Sequence, residues 1–285
     1  MKFVALCGLP RSGSTLLGNV LNQHPDITSE MDSCLADILI NISQHSEKVY
    51  TEDAQHTIKE MDDLYYTFMR SGVVSWITKL CKTDIYLDKN RTWSMDFNLL
   101  FNLIPSAKVI FLVRDLRGVI SSLEKIDSYK RLMPSVEIDF QSKDEFHNVD
   151  ILDAKIKNYM QMDMINGPLF GIKESLDCER WYLKNFKFVT YEDFMENPHK
   201  ILNEIYNFIG IKNFDNDLEN ITQGYYHDAV FAPFGDHTIR PQLTPKKENY
   251  NFPLIKRKSQ LKILNDYSWF YQQFYPRIYR ESIGR

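Results

Sequence analysis

The sequence predicts an α/β chain, with a parallel sheet of about four to five strands flanked by helices and carrying helical insertions. Three observations lead there. The run Lys-Val-Ile-Phe-Leu-Val at 108–113 is apolar almost throughout, as in a strand buried on both faces of a parallel sheet. Short apolar, partly β-branched runs also occur at 3–7, 85–87 and 186–190, and helical patterns lie between them; this alternation means βαβ units. The first run enters a glycine-bearing turn and then apolar residues at helical spacing, Leu16, Leu17, Val20 and Leu21.

Taken in order, strand 3–7 leads through Gly8-Leu9-Pro10-Arg11-Ser12-Gly13-Ser14-Thr15 into a helix that fades at His24, because Pro25 disfavours helical geometry before it. Residues 27–33 read as a polar loop with Glu30 and Asp32, followed by helical patterns at about 34–45 and 52–81. Strand 85–87 runs straight into Asp88-Lys89-Asn90-Arg91-Thr92-Trp93, and a helix at 94–103 stops before Pro105. Strand 108–113 gives way to Arg114-Asp115-Leu116-Arg117-Gly118 and a helix at 116–126. The polar stretch 127–150, broken by Pro134, reads as a lid or a substrate-facing loop. Helices follow at 151–165, ending near Gly167-Pro168, and at 169–183. After strand 186–190 come Tyr191-Glu192-Asp193, a helix opened by Pro198 and closed by Gly210, and a last helix at 258–273.

Composition narrows the functional classes. A chain of 285 residues, 44% hydrophobic and 25% charged, is ordinary for one large globular domain spanning 1–285. The net charge of −4, from 34 basic and 38 acidic residues, argues against a nucleic-acid partner while allowing a local basic pocket. No run approaches the ~18 apolar residues of a membrane span. Cys7, Cys34, Cys81 and Cys178 lack metal-ligand spacing, and with no apolar leader the expectation is a reduced, cytoplasmic protein.

The loop at 8–15 carries the chemistry. A strand, a glycine turn and a helix start converge unpaired N–H groups where the helix dipole favours an anion. Gly8, Gly13 and Thr15 satisfy most of the phosphate-loop pattern G-x-x-x-x-G-K-[ST], which places the fold in the P-loop-containing nucleotide-hydrolase-like class. Ser14 stands where that pattern has lysine, and the positive charge has moved to Arg11. A nucleoside triphosphatase needs the lysine and a Mg²⁺ ligand. The charged clusters at 11–15, 88–93 and 114–122 all follow strands, where ligands bind in such sheets.

These residues resemble the sulfotransferase superfamily that uses 3′-phosphoadenosine 5′-phosphosulfate (PAPS), above all its bacterial and protein-tyrosine members. The resemblance implies that Arg11, Ser12, Gly13, Ser14 and Thr15 hold the 5′-phosphosulfate. Arg114 and Ser122 then grip the 3′-phosphate, Tyr191 borders the nucleotide, and Lys89 lies on the transferring group. It also sets Arg240, in His237-Thr238-Ile239-Arg240-Pro241, near the nucleotide. Aligning His24-Pro25-Asp26 with the tyrosine-modifying relatives puts Asp32 where their catalytic glutamate stands; Glu30, two residues earlier, is the second candidate base. Arg117 reads as a solvated or lid-facing arginine, and His24 as a helix terminator. The uncovered stretches 27–83 and 127–185 are expected to form the acceptor side.

The implied activity is in-line transfer of the PAPS sulfuryl group to an acceptor hydroxyl, without a metal. The acceptor stays open among a peptide tyrosine, a carbohydrate, a lipid and a small alcohol. A P-loop small-molecule kinase and a non-catalytic nucleotide-binding module are the competing readings.

Overall fold

The computed structural model describes residues 1–31, 33–50, 56–130, 151–177, 183–223, 239, 241–247 and 250–283. Within them five strands form one sheet: β1 (Lys2–Gly8), β2 (Ile27–Met31), β3 (Ile85–Lys89), β4 (Lys108–Val113) and β5 (Phe186–Thr190). Their order is β2-β3-β1-β4-β5, and every pair is parallel. β1 takes the centre because both of its faces are apolar. Val4 and Leu6 pack on one side, and Phe3, Ala5 and Cys7 on the other.

Helices α1 (Ser14–Leu21), α8 (Tyr191–Glu196) and α9 (Pro198–Ile209) cover the Val4/Leu6 face. The opposite face carries α2 (Leu35–Tyr50), α3 (Ile58–Leu80), α4 (Phe97–Leu103), α5 (Leu116–Lys130), α6 (Ile151–Gln161) and α7 (Asp163–Asp177). The C-terminal helices α10 (Arg257–Asp266), α11 (Ser268–Phe274) and α12 (Pro276–Ile283) pack there too.

The structure corrects four local readings. Residues 27–31 are a strand, not part of a polar loop. As an edge strand β2 bonds β3 alone, and of its five residues only Ile27 is buried, so it lacks the apolar signature of an inner strand. The long helix expected from 52 begins at Ile58, where Thr57 and Glu60 form a reciprocal capping box. The break near Gly167-Pro168 is absent: the chain breaks at Met162, and Pro168 lies inside α7. Burial of Ile165, Leu169 and Ile172 outweighs the hydrogen bond that proline removes. The helix expected at 258–273 is two, α10 and α11, interrupted at Tyr267, and a further helix, α12, follows Tyr275. Of the polar stretch at 127–150, residues 131–150 lie outside the described residues.

The segment after Lys89 is held from beneath. A 3-10 turn, Arg91–Met95, buries Trp93 edge-on against Phe3 at 5.4 Å between ring centroids. Helix α7 lies so close that a Cβ on Gly171 would stand 2.1 Å from the Ser94 carbonyl oxygen. Gly171→Ala is therefore expected to cost about 1–3 kcal/mol or more in chemical denaturation, as overpacking against backbone does. Gly18→Ala, whose new methyl presses on the flexible end of Met31 and makes only ordinary contact with Leu6 Cδ2 at 3.4 Å, is expected to cost clearly less.

Candidate functional site

The loop between β1 and α1 is shaped by two glycines. A Cβ on Gly8 would lie 2.8 Å from the Leu112 carbonyl oxygen and 2.9 Å from Ser12 Oγ, so only glycine allows the loop to leave the sheet here. Leu9 N–H donates to that carbonyl at 3.3 Å, and Ser12 N–H closes a turn on the Leu9 carbonyl at 3.2 Å. Arg11 (φ 61°) and Gly13 (φ 86°) are both left-handed. Glycine takes that region freely, whereas arginine is uncommon there, and such strain collects at ligand sites. Gly13 is the N-cap of α1 and no side chain caps the helix, which leaves first-turn N–H groups for an anion. Ser12 Oγ is buried without a hydrogen-bond partner.

The second half of the site comes from the ends of β4 and β5. Arg114, one residue past β4, donates from Nη1 to the Arg11 carbonyl at 2.6 Å. Its guanidinium lies 4.4 Å from the centroid of the Tyr191 ring, a cation–π contact. Tyr191 opens α8 directly after β5 and crowds Gly13, where a Cβ would meet the ring at 3.0 Å. On α5, Ser122 Oγ accepts from Arg11 Nε at 3.2 Å. Arg11, Gly13, Arg114, Ser122 and Tyr191 thus form one continuous cluster.

Lys89 ends β3, nearly buried, in register with Leu6 and Met31 on the sheet face that α1 covers. The turn that follows is pinned by α2. Asn90 and Thr92 donate to the Asp37 carboxylate at 2.6 and 2.7 Å, and Asn90 also donates to the Ser33 carbonyl.

Glu30 points the other way. It is the register partner of Asp88, so the two carboxyls share the face opposite Lys89. Burial raises the Glu30 pKa. Asp88 is fully buried, and Ser33 and Trp93 approach it without completing a hydrogen bond to either oxygen. Desolvation pushes its pKa up to about 7 against the pull of Ser33 and Trp93, and the charges of Glu30 and Asp37 add to the rise. Asp32 and Arg240 lie outside the described residues. His24 does not end the helix, which closes at Leu21 with Asn22 as its C-cap; its ring is buried between the Lys212 carbonyl (3.0 Å) and the Asp26 N–H (3.0 Å).

Arg117 is corrected: it is buried, not solvated. Its guanidinium grips the Asp115 carboxylate through Nε (3.0 Å) and Nη2 (2.6 Å). Tyr271 donates to the same carboxylate at 2.9 Å. Glu192 accepts from the Asp115 N–H at 3.2 Å and from Tyr275 Oη at 2.6 Å. This network ties α11 and its cap to the residue next to Arg114. Sequence reading passed over it because Asp115, Glu192, Tyr271 and Tyr275 are far apart in the chain. The Arg-Asp-x-Arg spacing and the tyrosines four apart were its local traces.

The sulfotransferase family's sequence profile matches residues 4–216. The chain belongs to the sulfotransferase family. Protein-tyrosine sulfotransferase 1 of Mus musculus is 28% identical over 131 residues, 43% of this chain and 34% of that protein. The chain thus matches about a third of the length of that relative. A Caenorhabditis briggsae relative of the protein-tyrosine sulfotransferases is 26% identical over 272 residues, covering 94% of this chain and 81% of its own length. Among solved structures, the sulfotransferase domain from the curacin biosynthetic pathway superposes with a TM-score of 0.53 at 17% identity, covering 94% and 97% of the two chains. The family fold is therefore the one described above.

Asp88 and Glu192, whose burial pushes its pKa to about 7, hold their protons more tightly folded than unfolded. Their contribution to stability is full below the ordinary carboxylate range and is lost as pH rises through about 7. The melting temperature is expected to decline between pH 5 and 8, and Asp88→Asn should flatten part of that decline in a calorimetric pH series.

Proposed function

We propose that this protein moves the sulfuryl group of PAPS onto an acceptor hydroxyl and releases 3′-phosphoadenosine 5′-phosphate. The observation that carries the reading is the Arg114–Arg11 hydrogen bond, which joins the 11–15 loop to the Arg114/Ser122/Tyr191 corner. A nucleotide with two separated anionic ends needs two such basic places held in one cluster. The orphaned Ser12 hydroxyl and the uncapped start of α1 fit the 5′ end of that nucleotide.

The donor supplies a sulfate already activated as a mixed anhydride with phosphate. The chain's own part is position and charge. Arg11, Lys89 and the fixed N–H groups face negative charge in the transition state without reorganising. Arg114 and Ser122 hold the ribose phosphate, Tyr191 walls the nucleotide, and Arg240 joins them there. With these cations in place the reaction needs no divalent ion, and Ser14 in the lysine position disfavours phosphoryl transfer from ATP. The acceptor proton goes to a carboxylate, Glu30 or Asp32. Burial raises the proton affinity of Glu30, which lies beside Asp88 on the sheet face away from Lys89, and Asp32 lies two residues on. The acceptor class supported first is a tyrosine hydroxyl, by likeness to the protein-tyrosine sulfotransferases.

Calorimetric titration with 3′-phosphoadenosine 5′-phosphate is expected to show one site, weakened about 10- to 100-fold by Arg114→Ala, the range for a charge-assisted hydrogen bond. A ³⁵S transfer screen over tyrosine peptides, carbohydrates, lipids and small alcohols should find an acceptor in EDTA. There Lys89→Ala is expected to lower kcat about 10²–10³-fold. Glu30→Gln and Asp32→Asn identify the base, and full turnover in both would remove it from this segment. Failure to bind the nucleotide, or transfer from ATP instead, sinks the proposal.

A further inference from the structure

Asp88 directly precedes Lys89 in β3 and points to the opposite face of the sheet. It is fully buried, and neither carboxyl oxygen has a hydrogen-bond partner. On β1 its register partner is Ala5, and Cys7 lies on the same face with a thiol that burial and the Asp88 charge keep protonated. β2 sets Glu30 directly beside it. Within β3, Tyr86 shares its face, and the Tyr86 hydroxyl already accepts from Trp76 Nε1 at 3.3 Å. Ser33 Oγ, nearby, accepts from the Leu35 N–H at 3.0 Å, and on α2 the Asp37 carboxylate receives Asn90 and Thr92. Trp93 closes the layer, its own Nε1 buried without a partner. The charges of Glu30 and Asp37 both act to hold a proton on Asp88. Lys89, the adjoining cation, projects on the face that α1 covers.

An ionised carboxylate buried beside like charge, with no completed hydrogen bond, is strongly disfavoured, and such a group takes up a proton instead. We infer that Asp88 is a positioning residue that supports sulfuryl transfer only in its neutral form, a role that rests on the reading of Lys89 given above. Neutral, Asp88 leaves the charge of Lys89 uncompensated for the transferring group. Its O–H can then turn to the Glu30 carboxylate, so that the pair holds one proton and Glu30 alone is ionised. Ionised, Asp88 places a second negative charge behind Lys89, in surroundings too dry to screen it. That charge opposes the negative charge gathering on the sulfuryl oxygens. Burial, opposed by Ser33 and Trp93 and helped by Glu30 and Asp37, brings the change of state to about pH 7. Transfer therefore falls as pH rises through neutrality, while nucleotide binding at the Arg114 corner does not.

The test pairs kinetics with a direct view of the proton. Wild-type kcat is expected to fall about tenfold between about pH 6 and pH 8, as one essential acid titrates. Asp88→Asn, which keeps the shape of the neutral acid, should lack that fall. Calorimetric affinity for 3′-phosphoadenosine 5′-phosphate should stay level over the same range in both proteins. In the wild type labelled with ¹³C at its aspartate carboxyl carbons, one aspartate should titrate near neutrality, and that signal should be missing from Asp88→Asn. The wild-type spectrum needs no variant to fold, and thermal melts check that the variant does. Aspartates that all titrate in the ordinary acidic range overturn the inference. So does an unchanged fall in Asp88→Asn, which would assign it to Lys89 itself, and so does nucleotide affinity that drops in step with kcat, which would mean general loosening. Failure of the sulfuryl-transfer reading shows separately, as no transfer at any pH; it removes the positioning role, while the neutral state of Asp88 still stands or falls on the carbon spectrum.

Discussion

Much of this molecule depends on one hydrogen bond, from the Arg114 guanidinium to the backbone carbonyl of Arg11. A carbonyl can reach that guanidinium only if the loop turns outward, and the left-handed φ of Arg11 and Gly13 is how it turns. The same guanidinium rests on the Tyr191 ring. Three strand ends are thereby held together by one planar cation that still has donors left for a ligand. The parallel register makes this possible: Gly8 pairs with Leu112, and Val113 with Thr190, so the chain leaves neighbouring strands at nearly the same height.

Behind that cation sits a second layer. Asp115 is satisfied by Arg117 and Tyr271, while Glu192 caps the Asp115 N–H and takes the Tyr275 hydroxyl. Buried charge is costly unless paired and fully hydrogen-bonded, and here the pairing is bidentate and supplied from three parts of the chain. Its use is positional. It fixes the backbone just beyond Arg114 to the C-terminal helices, whose aromatic residues otherwise only fill the core. Gly118 completes the fit, since a Cβ there would press on Arg114 Nε and the Phe252 ring, each at 3.2 Å.

The Lys89 side of the site is stiffened differently. Asp37 receives both Asn90 and Thr92, and Gly171 lets α7 lie directly on the Ser94 backbone. The stretches that diverge from the family motifs therefore act on the site by bracing the turn after Lys89. Asp88, buried beside Glu30 without a completed hydrogen bond, is the unrelieved point of this layer.

What the sequence by itself determined is the frame and the loop. An apolar run such as Val109–Val113 has nowhere stable to go except between two layers, and Gly8 and Gly13 mark the turns only glycine permits, so sheet, loop and anion site were legible locally. The partners Arg114, Ser122 and Tyr191 were legible through resemblance to a family, and the structure brings them to Arg11. Tertiary structure alone decided the rest. An edge strand with one buried residue, β2, has no local signature; its strand character comes from β3. The burial of Arg117 depends on Asp115, Tyr271 and Phe252, two of them more than a hundred residues away. Pro168 stays helical because packing outweighs propensity. Local chemistry can specify what a residue prefers, but desolvation and pairing are properties of neighbours, and neighbours are set only when the chain has folded.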